Sequence, residues 1–135
     1  MQNSTARERK VQSNRPKYLN LLEIRQPLPA VVSLLHRVSG ALLFFPGIPL
    51  LLCGLDMALN SSQDYARFQS FLDNPLVKGL LTLLLWAFLH HFFAGIRFLA
   101  LDLGYGGALG KARASSKTVL AAGILFTLLI SIRLW

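Results

Sequence analysis

The chain has 135 residues, 53% of them hydrophobic and 15% charged, with a mean hydropathy of +0.48 and a net charge of +8. So few charges, gathered in blocks, exclude an ordinary soluble domain and indicate an integral membrane protein. The basic excess lies beside apolar stretches, where it sets topology and meets anionic headgroups; it forms no aromatic-interleaved stripe of the kind that binds nucleic acid.

Residues 1–29 form a basic segment, with Arg7, Arg9, Lys10, Arg15, Lys17 and Arg25 against Glu8 and Glu23. It lacks the apolar core and cleavage site of a signal peptide, so it reads as a retained cytoplasmic tail. Residues 1–14 are expected to be mobile, and Leu19–Pro29 to lie on the membrane surface. Pro27 and Pro29 place the start of a membrane helix at or just after Pro29.

The first span then covers about 30–55, long enough to cross a hydrocarbon core of about 30 Å. In its middle, Phe45-Pro46-Gly47-Ile48-Pro49 predicts a kink. Such a break is tolerated only where neighbouring protein satisfies the freed backbone groups, which implies a bundle. Cys53 is the single cysteine, so no intramolecular disulfide exists, and its leucine neighbours predict a small packed residue. Asp56 to Pro75 is polar and slightly acidic. A second span follows over about 76–101, then a glycine-rich basic loop with Lys111, Arg113 and Lys117, then a third span over about 118–135.

Residues 30–135 are thus expected to form an all-α membrane domain of three transmembrane helices within a larger helix bundle. The basic segments fall on one side and the acidic segment on the other. By the positive-inside rule the N-terminus is cytoplasmic and the C-terminus outside.

Two sets of polar residues then lie in the cytoplasmic half of the membrane. Ser33, His36 and Arg37 occupy the first turns of the first span, and His90 and His91 lie near the cytoplasmic end of the second. Neighbours on a helix differ by about 100°, so only one of the paired histidines can face a given partner. His91, Gly95, Phe98 and Asp102 share a face, and Gly95 leaves space one turn from His91. Intramembrane histidines either bond across helices or hold a ligand, and an imidazole beside a small residue suits axial ligation of haem iron. His36 or a neighbouring subunit would supply the second ligand. Cys53 is not in a C-x-x-C-H arrangement, which excludes covalent c-type attachment. Ser33 and Arg37, four apart, offer a hydroxyl and a guanidinium suited to quinone carbonyls or haem propionates. Alternatively, Arg37 snorkels to headgroups while Ser33 bonds its own helix. Asp102 is open to a similarly plain reading, pairing with Arg97 or a loop lysine.

Ser33-Leu34-Leu35-His36-Arg37-Val38-Ser39-Gly40 resembles the S-x-x-H-R-x-S-G signature of the b-type cytochrome subunit of succinate dehydrogenase. His91-x-x-x-Gly95-Ile96-Arg97, followed by Asp102, resembles that family's second signature, and Arg15-Pro16 and Ile24-Arg25-x-Pro27 also match. The resemblance covers about residues 15–135. It implies a membrane anchor subunit that pairs with a second small anchor, shares one haem b with it and binds ubiquinone. A flavoprotein and an iron–sulfur subunit would sit on the cytoplasmic side. Carried over by position, His91 is the axial haem ligand, the other ligand coming from the partner anchor. Ser33, Arg37 and Asp102 belong to the quinone site, and His36 and Arg37 approach the haem propionates. Phe98 departs from the pattern, since the family often has a histidine after the Gly-Ile-Arg.

The expected function is therefore electron transfer from the iron–sulfur subunit to ubiquinone in a bacterial inner membrane. Two alternatives are a fumarate reductase anchor using a low-potential quinone and a non-redox membrane helper subunit. The lack of a carboxylate between Asp73 and Asp102 argues against an ion-coupled transporter.

Overall fold

The structure, a computed structural model, describes residues 25–135. The expected mobile tail, most of the surface segment, and Arg15, Pro16 and Ile24 lie outside the described residues. Every regular element among the described residues is helical. They are α1 (Leu28–Leu42), a π-helical turn (Leu43–Gly47), α2 (Ile48–Asn60), α3 (Ser62–Leu72), α4 (Pro75–Asp102) and α5 (Leu109–Leu134). Three helical stretches, Leu28–Asn60, Pro75–Asp102 and Leu109–Leu134, are long and apolar enough to cross a membrane.

The helix ends follow from local chemistry. Pro27 caps α1 and its carbonyl accepts from Ala30 N–H at 2.8 Å, while Pro29 sits in the first turn, where no N–H is needed. Pro46, expected to kink the first span, falls inside the π turn: with no N–H at Pro46, the chain widens by one residue and Ile48 N–H bonds the Leu43 carbonyl. The helix resumes at once and runs to Asn60, so Asp56 is helical.

The polar segment that follows is largely helical too. Ser61 Oγ accepts from Asp64 N–H at 3.1 Å and donates to the Asp64 carboxylate at 2.7 Å, a serine cap with an acid in the first turn. Asn74 caps α4 through Leu76 N–H at 2.9 Å. At its other end, Gly104 N–H bonds the Leu101 carbonyl and Tyr105 N–H the Ala100 carbonyl, both at 2.9 Å. That is a Schellman ending, and Gly104 supplies its positive φ of 84°. The basic stretch after it is not a loop. α5 starts at Leu109, so Lys111, Arg113 and Lys117 ride on helix well before the apolar span at Thr118. Hydropathy locates the edge of the hydrocarbon, whereas the helix extends as far as its backbone is bonded.

α4 and α5 meet along small residues. Ala87, His90, Ala94 and Arg97 are the buried positions of α4, and Ser116, Val119, Gly123 and Thr127 those of α5. A Cβ on Gly123 would lie 3.6 Å from the Cα of His90, so the two backbones approach closely there. The hydroxyls in the seam return to their own helix, Ser116 to the Ala112 carbonyl at 2.7 Å and Thr127 to the Gly123 carbonyl at 2.6 Å. Val32, Ala94 and Val119, one from each of α1, α4 and α5, make the core, with Phe93, Phe98 and Leu120 around it. Most large apolar side chains point outward, as suits a helix surface in contact with lipid or partner helices, and Cys53, expected to be packed, is exposed among Leu51, Leu52 and Leu55 on that surface.

Past the π turn the bundle opens. α1 packs on α4 and α5, but α2 touches only α3 and the π turn. α3 bridges the gap from α2 to α4. Phe68 reaches back to Gly54, where an added Cβ would meet its ring at 3.4 Å.

Candidate functional site

The first histidine of the signature and the second of the pair come together. The rings of His36 on α1 and His91 on α4 stack face to face, with centroids 4.1 Å apart and planes within 9°. The carbonyl of His36 lies 3.0 Å from His91 Nδ1. A carbonyl only accepts, so Nδ1 carries a proton; in the neutral imidazole Nε2 then presents its lone pair, and it makes no hydrogen bond among the described residues. Ser39, fully buried, donates its hydroxyl proton to the same carbonyl at 2.9 Å and lies 3.3 Å from His91 Nδ1. The backbone of α1 thereby fixes both the tautomer and the angle of the His91 ring.

Two glycines flank the stack, and they are not equivalent. A Cβ on Gly40 would sit 2.9 Å from His91 Cε1, so only glycine admits the ring there. At Gly95 the nearest atom is His36 Nε2, at 3.7 Å, an ordinary contact. The space expected at Gly95 is therefore filled by His36, and the close approach to His91 belongs to Gly40. Three members of the expected α4 face, His91, Gly95 and Phe98, all address His36, the Phe98 ring at 5.1 Å. Asp102, the fourth, is exposed at the end of α4.

Ser33 is half-buried and Arg37, one turn on, is exposed. Among the described residues Asp102 has no cation partner. Arg97, one proposed partner, turns into the α4–α5 seam instead, its Nε donating to Ser115 Oγ at 3.0 Å. His90 goes the other way from His91. It is fully buried in the α1–α4–α5 core and stacked on Trp86 at 5.4 Å; neither ring nitrogen makes a well-formed hydrogen bond among the described residues, the Val32 backbone being the polar group near it.

Beyond His91 lies an apolar cavity of about 1100 Å³ between the α1–α2 stretch and α4, open on one side and flanked by α3. Gly40, Gly47 and Gly54, seven residues apart, line one wall, Phe68 and Phe71 the side of α3, and His91 one end. That seven-residue glycine spacing is visible in the sequence and marks the wall.

These features define a membrane-spanning helical protein whose polar site is held between two of its spans. Residues 11–130 match the model of the succinate dehydrogenase/fumarate reductase transmembrane subunit, and the chain belongs to that family. It is 35% identical to the succinate dehydrogenase cytochrome b556 subunit of Coxiella burnetii, over 91% of this chain and 98% of that one. It is 33% identical to the subunit of the same name from Paracoccus denitrificans, over 86% and 88% of the two chains. The Rickettsia felis subunit of that name is 26% identical over 93% of this chain and 98% of its own length.

Proposed function

We propose that this chain is a haem b- and quinone-binding anchor subunit of a succinate:quinone oxidoreductase, passing electrons from an iron–sulfur subunit to ubiquinone. The observation that carries the reading is the orientation of His91. Its Nδ1–H is spent on the His36 carbonyl, its Nε2 is free, and an apolar cavity opens beside it. The residues present fit a b-type haem, which when bound supplies a one-electron carrier.

In this reading His91 would hold the haem iron, and His36 would not be the other ligand. Two imidazoles stacked face to face cannot both aim a nitrogen at one metal lying between them. The second ligand accordingly comes from a partner anchor subunit. His36 and Arg37, at the basic end of the site, supply donors and charge for propionates. Ser33 and Arg37 supply a hydroxyl and a guanidinium to quinone carbonyl oxygens, where negative charge develops on reduction. Asp102, exposed at the end of α4, passes protons from water in this reading.

Topology agrees with this division. Arg25, Arg37, Lys111, Arg113 and Lys117 gather with Asp102 at the end of the bundle near the site, whereas Asp56, Asp64 and Asp73 share the other end with Arg67, Lys78 and Arg133, so the positive excess lies near the site. The basic end therefore faces the cytoplasm, the N-terminus included, and a bacterial inner membrane is the location. The cytochrome b556 relatives favour the succinate-oxidising direction over fumarate reduction.

The test is a reduced-minus-oxidised spectrum of the purified complex, in which a b-type Soret and α-band is expected; their absence sinks the haem reading. Replacing Ser33 or Arg37 should impair quinone reduction while succinate oxidation with a soluble acceptor persists. Equal loss of both activities would point to misassembly.

A further inference from the structure

Arg97 is 7% exposed, yet among the described residues it meets no carboxylate. Its guanidinium has two neutral acceptors: Ser115 Oγ at 3.0 Å from Nε, and the Ala112 carbonyl at 3.4 Å from Nη2. Ser115 itself donates to that carbonyl at 3.2 Å, so the three groups lock together on α5. Burying a cation with only neutral partners is costly, and splicing two helices does not require one: serine and threonine in this same seam are satisfied without charge.

What the guanidinium touches on its other side gives a reason for it. Its Cζ lies 5.3 Å from the centre of the Phe98 ring. Phe98 leans on His36 at 5.1 Å, His36 stacks on His91 at 4.1 Å, and the His36 carbonyl holds His91 Nδ1. A continuous column thus runs from α5 through α4 and α1 to the ring whose Nε2 is free.

We propose that Arg97 is a positioning residue for the His91 site: anchored by Ser115 and Ala112, it holds Phe98 against His36 and so fixes the ring and carbonyl that orient His91. The inference rests on the haem-ligand reading of His91. Phe98 is the wedge, and α5 is the fixed point against which it is held. A guanidinium suits the post because its cation can lie within reach of an aromatic ring while its N–H groups donate to two acceptors; an ammonium lacks the planar fork.

The experiment compares whole complexes carrying wild-type chain, Arg97→Gln, Arg97→Lys, Ser115→Ala and Phe98→Leu. Electron paramagnetic resonance of the oxidised haem and its midpoint potential are read on the assembled fraction. Arg97→Gln and Phe98→Leu are expected to shift the axial-ligand g-values and the potential, and Ser115→Ala to shift them less in the same sense. Arg97→Lys, which restores charge but not the fork, should fail to restore the g-values. The proposal is overturned if the variants lower the yield of assembled complex but leave g-values and potential at wild-type values, since Arg97 would then merely splice α4 to α5. A wild-type complex with no b-type band overturns the haem reading instead. In that complex the imidazole ¹⁵N resonances of His91 still report its tautomer, and identical resonances in wild type and Arg97→Gln overturn the positioning role.

Discussion

The half of the bundle that holds His36, His91 and Arg97 is packed backbone against backbone, whereas the half that holds α2 and α3 encloses space. Both halves are rich in leucine and phenylalanine, so hydrophobicity does not separate them. In a bilayer, apolar side chains gain little by leaving lipid for one another, and close packing follows small residues and satisfied polar groups. The closed half has them: Ser39, Ala87, Ala94, Ser116 and Gly123 let three helices touch. The open half begins at Pro46, where the π turn widens the backbone and α2 parts from α4 and α5. Its glycines at 47 and 54 face a cavity and the ring of α3 rather than a membrane-spanning neighbour. Polar chemistry sits where the packing is tight, and room for an apolar ligand sits beside it. His91 stands at the boundary.

The sharpest way to break this contrast is to remove the boundary residue. His91→Leu in the assembled complex should abolish the b-type band or shift it strongly in a reduced-minus-oxidised spectrum, and an unchanged band would show that the ligand lies elsewhere. Next in size is Gly40→Ala. The new methyl would lie 2.9 Å from His91 Cε1, and that ring is pinned by the His36 carbonyl and Ser39. Most of the haem should be lost or its band displaced. Gly95→Ala, with His36 Nε2 at 3.7 Å, should keep the band and add helix propensity of up to about 1 kcal/mol. Equal damage from the two would mean that the stack is looser than its geometry.

Much of the closed half was legible in the sequence. Ser33, His36, Arg37 and His91 were placed at one depth from helix rise and charge asymmetry alone, and His36 and His91 do touch. The shared face of His91, Gly95 and Phe98 followed from helical period, and all three address His36. What period could not supply was the rotation of α1 about its own axis, which decides that Gly40 rather than Gly95 approaches His91. Arg97 was read only as a partner for Asp102, because pairing by charge ignores a neutral acceptor eighteen residues on. α3 went unread although Ser61 and Asp64 spell a cap, since its polar average masked the spacing of Tyr65, Phe68 and Phe71. The early start of α5 is hidden because a run of basic residues has the composition of a loop even where it is helical.

A smaller effect sharpens the packing side of the contrast. Gly123→Leu pushes a side chain into the seam where even a Cβ would lie 3.6 Å from the His90 Cα, and overpacking of this kind costs about 1–3 kcal/mol. Gly79→Leu on α4 faces open space, with nothing within 4 Å, and should cost nothing measurable. Thermal unfolding of the detergent-solubilised complex reads both. A destabilised Gly79→Leu would reveal a partner helix covering the open half.

The smallest expected effect concerns His90, and its sign is the informative part. The ring is fully buried with both nitrogens lacking a well-formed hydrogen bond among the described residues. A buried polar group left unbonded costs about 1–3 kcal/mol, and replacing it with an apolar group of similar shape is near neutral or stabilising. His90→Phe keeps a flat ring for Trp86 to stack on while removing the two unmet nitrogens. Thermal stability of the complex should therefore stay level or rise, and the b-type band should stay in place, since His90 faces away from His91's cavity. A clear loss of stability would show that a His90 nitrogen bonds a group supplied when the complex assembles. A loss of the band with stability intact would move the ligand from His91 to His90 and reverse the assignment of the two faces of α4.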